Sequence, residues 1–176
     1  MLTLEALHLV SGSFSLRADF GLETASRTAL IGPSGAGKST LLSAIAGFLA
    51  PSSGRILWQG TDITSTAPAA RDLSILFQDQ NLFPHLTVAQ NLGLGLSPQL
   101  KLGKADHMRI DAALARTGLA GLGARKPAQL SGGQQSRVAL ARSLLRARPL
   151  LLLDEPFAAL GPGLKAEMLA LVAEIC

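Results

Sequence analysis

Residues 32–40 read G-P-S-G-A-G-K-S-T, and this run constrains the fold of the chain more than any other. Gly32, Gly37, Lys38 and Ser39 satisfy the pattern G-x-x-x-x-G-K-[ST]. Glycines at these places let the backbone curl until successive N–H groups converge on phosphate oxygens. Lys38 adds a positive charge for the outer phosphates, and the Ser39 hydroxyl can ligate Mg²⁺. A helix starting at the loop points its positive end at the same anion. Such a loop sits between a strand and a helix. Thr28 to Ile31 reads as the short buried strand, and Lys38 to Phe48 as the helix, ended by Pro51 and Gly54. The candidate nucleotide-binding residues are Gly32, Pro33, Ser34, Gly35, Ala36, Gly37, Lys38, Ser39 and Thr40.

Leu150 to Pro156 reads L-L-L-L-D-E-P. An apolar strand that delivers a carboxylate at its end is the usual partner of such a loop. Asp154 would hold Mg²⁺ through its waters. Glu155, one residue on, is placed to polarise an attacking water as general base. Acids here would also suit an ordinary helix start. In the company of the glycine loop the catalytic reading is preferred.

Leu130 to Gln134 reads L-S-G-G-Q. Ser131 and Gln134 have the spacing of a capping box, which would open a helix and nothing more. A capping box does not require Gly132 and Gly133. Two glycines at a positive helix end expose a row of backbone N–H groups, again a phosphate-binding design.

Composition fits a globular α/β chain. Of 176 residues, 48% are apolar and 16% charged, which excludes disorder by composition. The single cysteine, Cys176, excludes a disulfide framework and a cysteine-based zinc site. No apolar run reaches the roughly 20 residues of a membrane-spanning helix, and Met1 to Val10 lacks the basic start of a signal peptide. The net charge is +4, and Arg109 to Arg148 holds eight basic residues against Asp111 alone. Two solvated helix faces explain that run as well as an anionic partner does. With no Tyr and one Trp, aromatic platforms for single-stranded nucleic acid are not expected.

The periodicity predicts antiparallel strands over Leu2 to Val10 and Ser13 to Leu22, and further strands over Arg55 to Gln59, Leu73 to Phe77 and Leu150 to Leu153. Helices are predicted over Thr87 to Leu96, Ala105 to Thr117, Ser131 to Arg146 and Pro162 to Ile175. Alternating strands and helices imply a parallel core sheet. Residues from about 81 to 130, all helix and loop, are expected to form a helical subdomain inserted into that single domain.

The order of the three motifs resembles the ATP-binding subunit of ABC transporters. The resemblance implies a P-loop NTPase fold with a RecA-like core and an N-terminal antiparallel part. It also implies ATP and Mg²⁺ as cofactors. Gln78, in S-I-L-F-Q-D-Q, falls where the family carries a glutamine that contacts Mg²⁺ or the attacking water and senses the membrane subunit. Head-to-tail pairing with a second copy would place each ATP between the glycine loop of one chain and Ser131, Gly132, Gly133 and Gln134 of the other. The surface near Leu82, Phe83 and His85 would receive a coupling helix of an integral membrane permease. Phe77 to Leu102 and Q-G-T-D-I-T, Gln59 to Thr64, resemble the ATPase subunit of bacterial thiamine importers, and the likeness runs from Met1 to Cys176. This implies a place on the cytoplasmic face of the inner membrane, an indirect link to a periplasmic thiamine-binding protein, and no nucleic-acid partner. Importers of other small solutes share the same ATPase chemistry, because that subunit need not touch the solute.

The chain departs from the family pattern in four places. Ser11 aligns with the usual adenine-stacking aromatic, with Phe14 and Phe20 nearest. Ala158 to Gly161 reads A-A-L-G where S-A-L-D is usual, and Ser136 replaces a glutamine. The family's switch histidine follows Asp154 by roughly thirty residues, whereas 22 residues follow it here. His8, His85 and His107 are expected at the surface or in loops. The resemblance therefore implies a C-terminally truncated subunit, in which hydrolysis suffers more than nucleotide binding.

Overall fold

The apolar residues of the first strand change phase half-way along it: Leu2 and Leu4 stand at even positions, Leu7 and Leu9 at odd ones. In the computed structural model, which describes residues 1–77, 82–157 and 160–175, all four are buried. A bulge makes this possible. β1 (Leu2–Ser11) slips register between Leu4 and Leu7 against β2 (Phe14–Leu22), and between Glu5 and His8 against β3 (Ser53–Trp58). The extra residue returns the later leucines to the core face. Ala6 at the bulge adopts φ 44°, and its N–H donates to Asp19 Oδ1 at 3.2 Å. β4 (Thr61–Asp62) completes an antiparallel sheet of order β2-β1-β3-β4.

This sheet and α1 (Lys38–Ala46) belong to the first of two compact units, residues 1–73. Gly47, at φ 89°, ends α1 with its N–H on Ala44 O, and Phe48 N–H donates to Ser43 O at 2.9 Å. A left-handed glycine closes a helix in this way. The helix therefore stops before the expected Phe48.

The second unit, residues 74–176, pairs β5 (Leu73–Leu76) with β6 (Leu150–Leu153) in a parallel arrangement. Three helices, α2 (Val88–Gly93), α3 (Lys104–Arg116) and α4 (Gly132–Leu145), close over one apolar cluster. Its buried members include Val88, Leu92, Ile110, Leu114, Leu119 and Val138. A second cluster joins Leu76, Leu140 and Phe157 to Met168 of α5 (Pro162–Ile175).

One expected strand differs. Thr28 to Ile31 forms no strand among the described residues; Ile31 is 90% exposed and Leu30 45%. A strand exists only where a neighbour accepts its backbone groups, and the sheet of the first unit runs β2-β1-β3-β4 without it. The predicted helix over Thr87 to Leu96 also ends early, at Gly93, and continues as tight turns. Gly95 there packs so closely on the Arg142 carbonyl that a β-carbon would come within 2.5 Å of its oxygen.

Candidate nucleotide-binding and hydrolytic site

The glycine loop leads directly into α1, and its backbone follows from its glycines. Gly35 and Gly37 adopt φ 79° and 91°, a region that favours glycine. Gly37 is the N-cap of α1 and offers no side chain to cover the first-turn N–H groups, so these point out of the helix end. Its α-carbon also lies against the tip of β2. A β-carbon there would lie 2.5 Å from Phe14 Cζ and 2.7 Å from Leu16 Cδ1. Lys38 folds back across the loop, where Nζ donates to Gly32 O at 3.0 Å and Pro33 O at 2.9 Å. The ammonium is thus held over the curl formed by residues 32–37. Residues 32–36 and Ser39 are exposed, and Thr40 is half-buried.

The other end of α1 is held by a residue that sequence reasoning missed. Arg71 is buried, and its guanidinium donates to four backbone carbonyls. Nη1 reaches Ala44 O at 3.0 Å and Ile45 O at 2.7 Å; Nη2 reaches Thr64 O, and Nε reaches Thr66 O, each at 2.9 Å. Burial pulls its pKa below the ordinary arginine value. Its only signal in the sequence is an arginine two residues before an apolar strand, which is too common to interpret.

The second unit carries the remaining candidates. Asp154 is buried at the end of β6, and its N–H donates to Leu76 O at 2.9 Å, continuing the β5–β6 pairing. Glu155 is exposed and adopts φ 46°, left-handed for a residue that rarely does so. Phe157, buried beside Leu76 and Leu140, anchors the chain just beyond it. Ser131 is the N-cap of α4. Gln134 N–H donates to Ser131 Oγ at 3.3 Å, and Ser131 N–H donates to Gln134 Oε1 at 2.9 Å, so the capping box is present. Gly132 is exposed, whereas a β-carbon on Gly133 would lie 3.1 Å from Leu164 Cδ2. Gln135 Nε2 donates to Pro127 O and Leu130 O and ties down the turn before the helix. Ser136, the departure noted in the sequence, is buried and donates to Gly132 O at 3.1 Å.

Gln78 lies outside the described residues, as do Ala158 and Ala159 of the A-A-L-G run. Of the three histidines, His85 and His107 are exposed; His8 lies within β1, half-buried, 2.8 Å from Ser15 Oγ. Phe83 is 46% exposed, with His85 edge-on to it and the Arg142 guanidinium 5.9 Å from its ring centre. The buried Asn91 fixes this segment, accepting from Phe83 N–H and donating to the carbonyls of Phe83, Leu86 and Thr87. Among the described residues no helix is long and apolar enough to cross a membrane. Nor does any group of three His, Cys, Asp or Glu gather to hold a metal.

Known proteins match this arrangement. The ABC transporter family model covers residues 16–158. A thiamine import ATP-binding protein of Cereibacter sphaeroides is 67% identical over 175 residues, covering 99% of this chain and 76% of that protein. One of a Ruegeria species is 59% identical over the same shares. Among solved structures, a dimeric post-hydrolysis state of the ATP-binding cassette MJ0796, bound to ADP and Pi, superposes with a TM-score of 0.85 at 28% identity. It covers 98% of this chain and 81% of that one. The cassette MJ1267 gives a TM-score of 0.88 over 99% of this chain and 76% of that one, also at 28% identity. Three motifs in family order, on the family's fold, leave one assignment: the chain belongs to the ATP-binding proteins of the ABC transporter family.

Proposed function

We propose that this chain is the ATP-binding and hydrolysing subunit of an importer for thiamine. The 67% identity to a thiamine import ATP-binding protein over 99% of the chain carries this reading. The N–H groups of residues 35–40 hold the β- and γ-phosphates, and Lys38 leaves its loop carbonyls to meet the outer phosphates. Ser39 and Asp154 suit Mg²⁺, a hard cation that takes a few oxygen donors and keeps its waters. When bound, the ion neutralises charge on the transferring phosphate. Glu155 accepts a proton from the attacking water, and Gln78 helps orient that water. Ser131, Gly132, Gly133 and Gln134 of a second copy close the site head to tail. Supporting this, the capping box fixes the start of α4 with its two glycines at the helix end.

The exposed Phe83 and His85, held by Asn91, suit contact with the coupling helix of a permease. Residues from about 81 to 130 act as the inserted helical subdomain that carries this surface, working at the cytoplasmic face of the inner membrane. A periplasmic thiamine-binding protein delivers the solute to that permease.

Uptake of radiolabelled thiamine tests the reading. The host is a bacterium that lacks its own importer ATPase and keeps the permease and the binding protein. With this chain uptake should rise above that of the host alone, at a rate limited by its impaired hydrolysis, and with Lys38→Ala it should not rise. A chain that accumulates and binds ATP yet restores the uptake of a different solute would overturn the thiamine assignment.

A further inference from the structure

We propose that Arg71 is a positioning residue for the phosphate loop, acting through α1 from the end of the helix opposite the nucleotide. The inference rests on reading residues 32–40 as that loop. Nine residues give α1 a length of about 13 Å, and the helix is held at both ends. At its N-terminus Gly37 lies against Phe14 and Leu16 of β2. At its C-terminus Gly47 lies so close to Arg71 that a β-carbon would sit 2.6 Å from Nε. The guanidinium there bonds the last-turn carbonyls of Ala44 and Ile45 on one side, and those of Thr64 and Thr66 on the other. One planar fork therefore joins the helix to the segment that leaves β4, with a cation at the negative end of the helix dipole.

A short helix moves as a rod, so slack at its C-terminus tilts the N–H array at its N-terminus. Those N–H groups recognise phosphates and not the base or ribose. Loss of Arg71 should therefore weaken phosphate-dependent binding selectively. A residue that merely supported the fold would lower stability and leave the preference for ATP over AMP intact at temperatures where the chain is folded.

The test measures ATP and AMP affinities of the 176-residue chain and of Arg71→Met, Arg71→Lys and Lys38→Ala, with unfolding midpoints taken in parallel. Arg71→Met should lose about tenfold in ATP affinity and little in AMP affinity, shrinking the ratio. Arg71→Lys keeps the charge and reaches only some of the four carbonyls, so it should fall between. If Arg71→Met fails to fold, the ratio for Arg71→Lys decides alone. Lowered midpoints with an unchanged ratio would make Arg71 structural only and overturn the proposal. If Lys38→Ala also binds ATP like the parent chain, the phosphate-loop reading falls and takes this proposal with it.

Discussion

Gly37 and Phe14 leave no room between them: a β-carbon on the glycine would lie 2.5 Å from the ring's Cζ. The same glycine holds φ at 91°. Gly37→Ala therefore meets two penalties, about 1–2 kcal/mol for the left-handed backbone and about 1–3 kcal/mol for overpacking. Denaturant unfolding should show a total loss of about 2–5 kcal/mol. Adding Phe14→Ala should relieve the ring's share of the packing part, leaving the Leu16 contact and the backbone part, so the double-mutant cycle is non-additive. Additive losses would disprove the contact.

Ser131 has separable duties at the start of α4. Ser131→Ala removes the cap and should cost about 1 kcal/mol of stability. Ser131→Asp keeps a capping oxygen and should remain close to the parent chain. In ATP hydrolysis both should fail, because the carboxylate of the second variant would face the γ-phosphate across the pair of chains. An Asp variant with normal turnover would remove Ser131 from the composite site.

Glu155 combines an exposed carboxylate with a left-handed backbone. Glu155→Gln preserves shape and should leave folding and ATP binding unchanged while slowing hydrolysis by about 10²–10⁴-fold. Glu155→Val puts a β-branched residue at φ 46° and should destabilise the turn as well. Comparison of turnover with unfolding midpoint separates the two effects. Unslowed hydrolysis in the Gln variant would end the general-base role.

Phe83 is held at the surface by a network that it does not need for its own burial. Its backbone N–H and carbonyl are bonded to the buried Asn91, and its ring stays 46% exposed. Phe83→Ala should thus change stability by no more than about 0.5 kcal/mol. Thiamine uptake should drop sharply while ATP binding by the isolated chain is kept. Uptake at the parent rate would exclude the ring from permease contact.

The site was legible where its chemistry is local. In G-P-S-G-A-G-K-S-T the residues that shape the loop are those proposed to face the phosphate, and in L-S-G-G-Q the cap partners stand three apart. Asp154 and Glu155 were placed by the four leucines before them. The β1 bulge was present in L-T-L-E-A-L-H-L as a change of apolar phase, but alternation over so few residues does not say on which side the extra residue falls.

Primary structure alone determined the motifs, the α/β class and the family, because each depends on neighbours within a few positions or on overall pattern. Tertiary structure decided what depends on distant partners. Thr28 to Ile31 is apolar enough to be a strand, yet no strand of its unit pairs with it. Arg71 looks like any surface arginine until Ala44 and Ile45, 27 and 26 residues earlier, bring their carbonyls to it. Burial and hydrogen bonding belong to pairs of groups, and the chain chooses those pairs only when it folds.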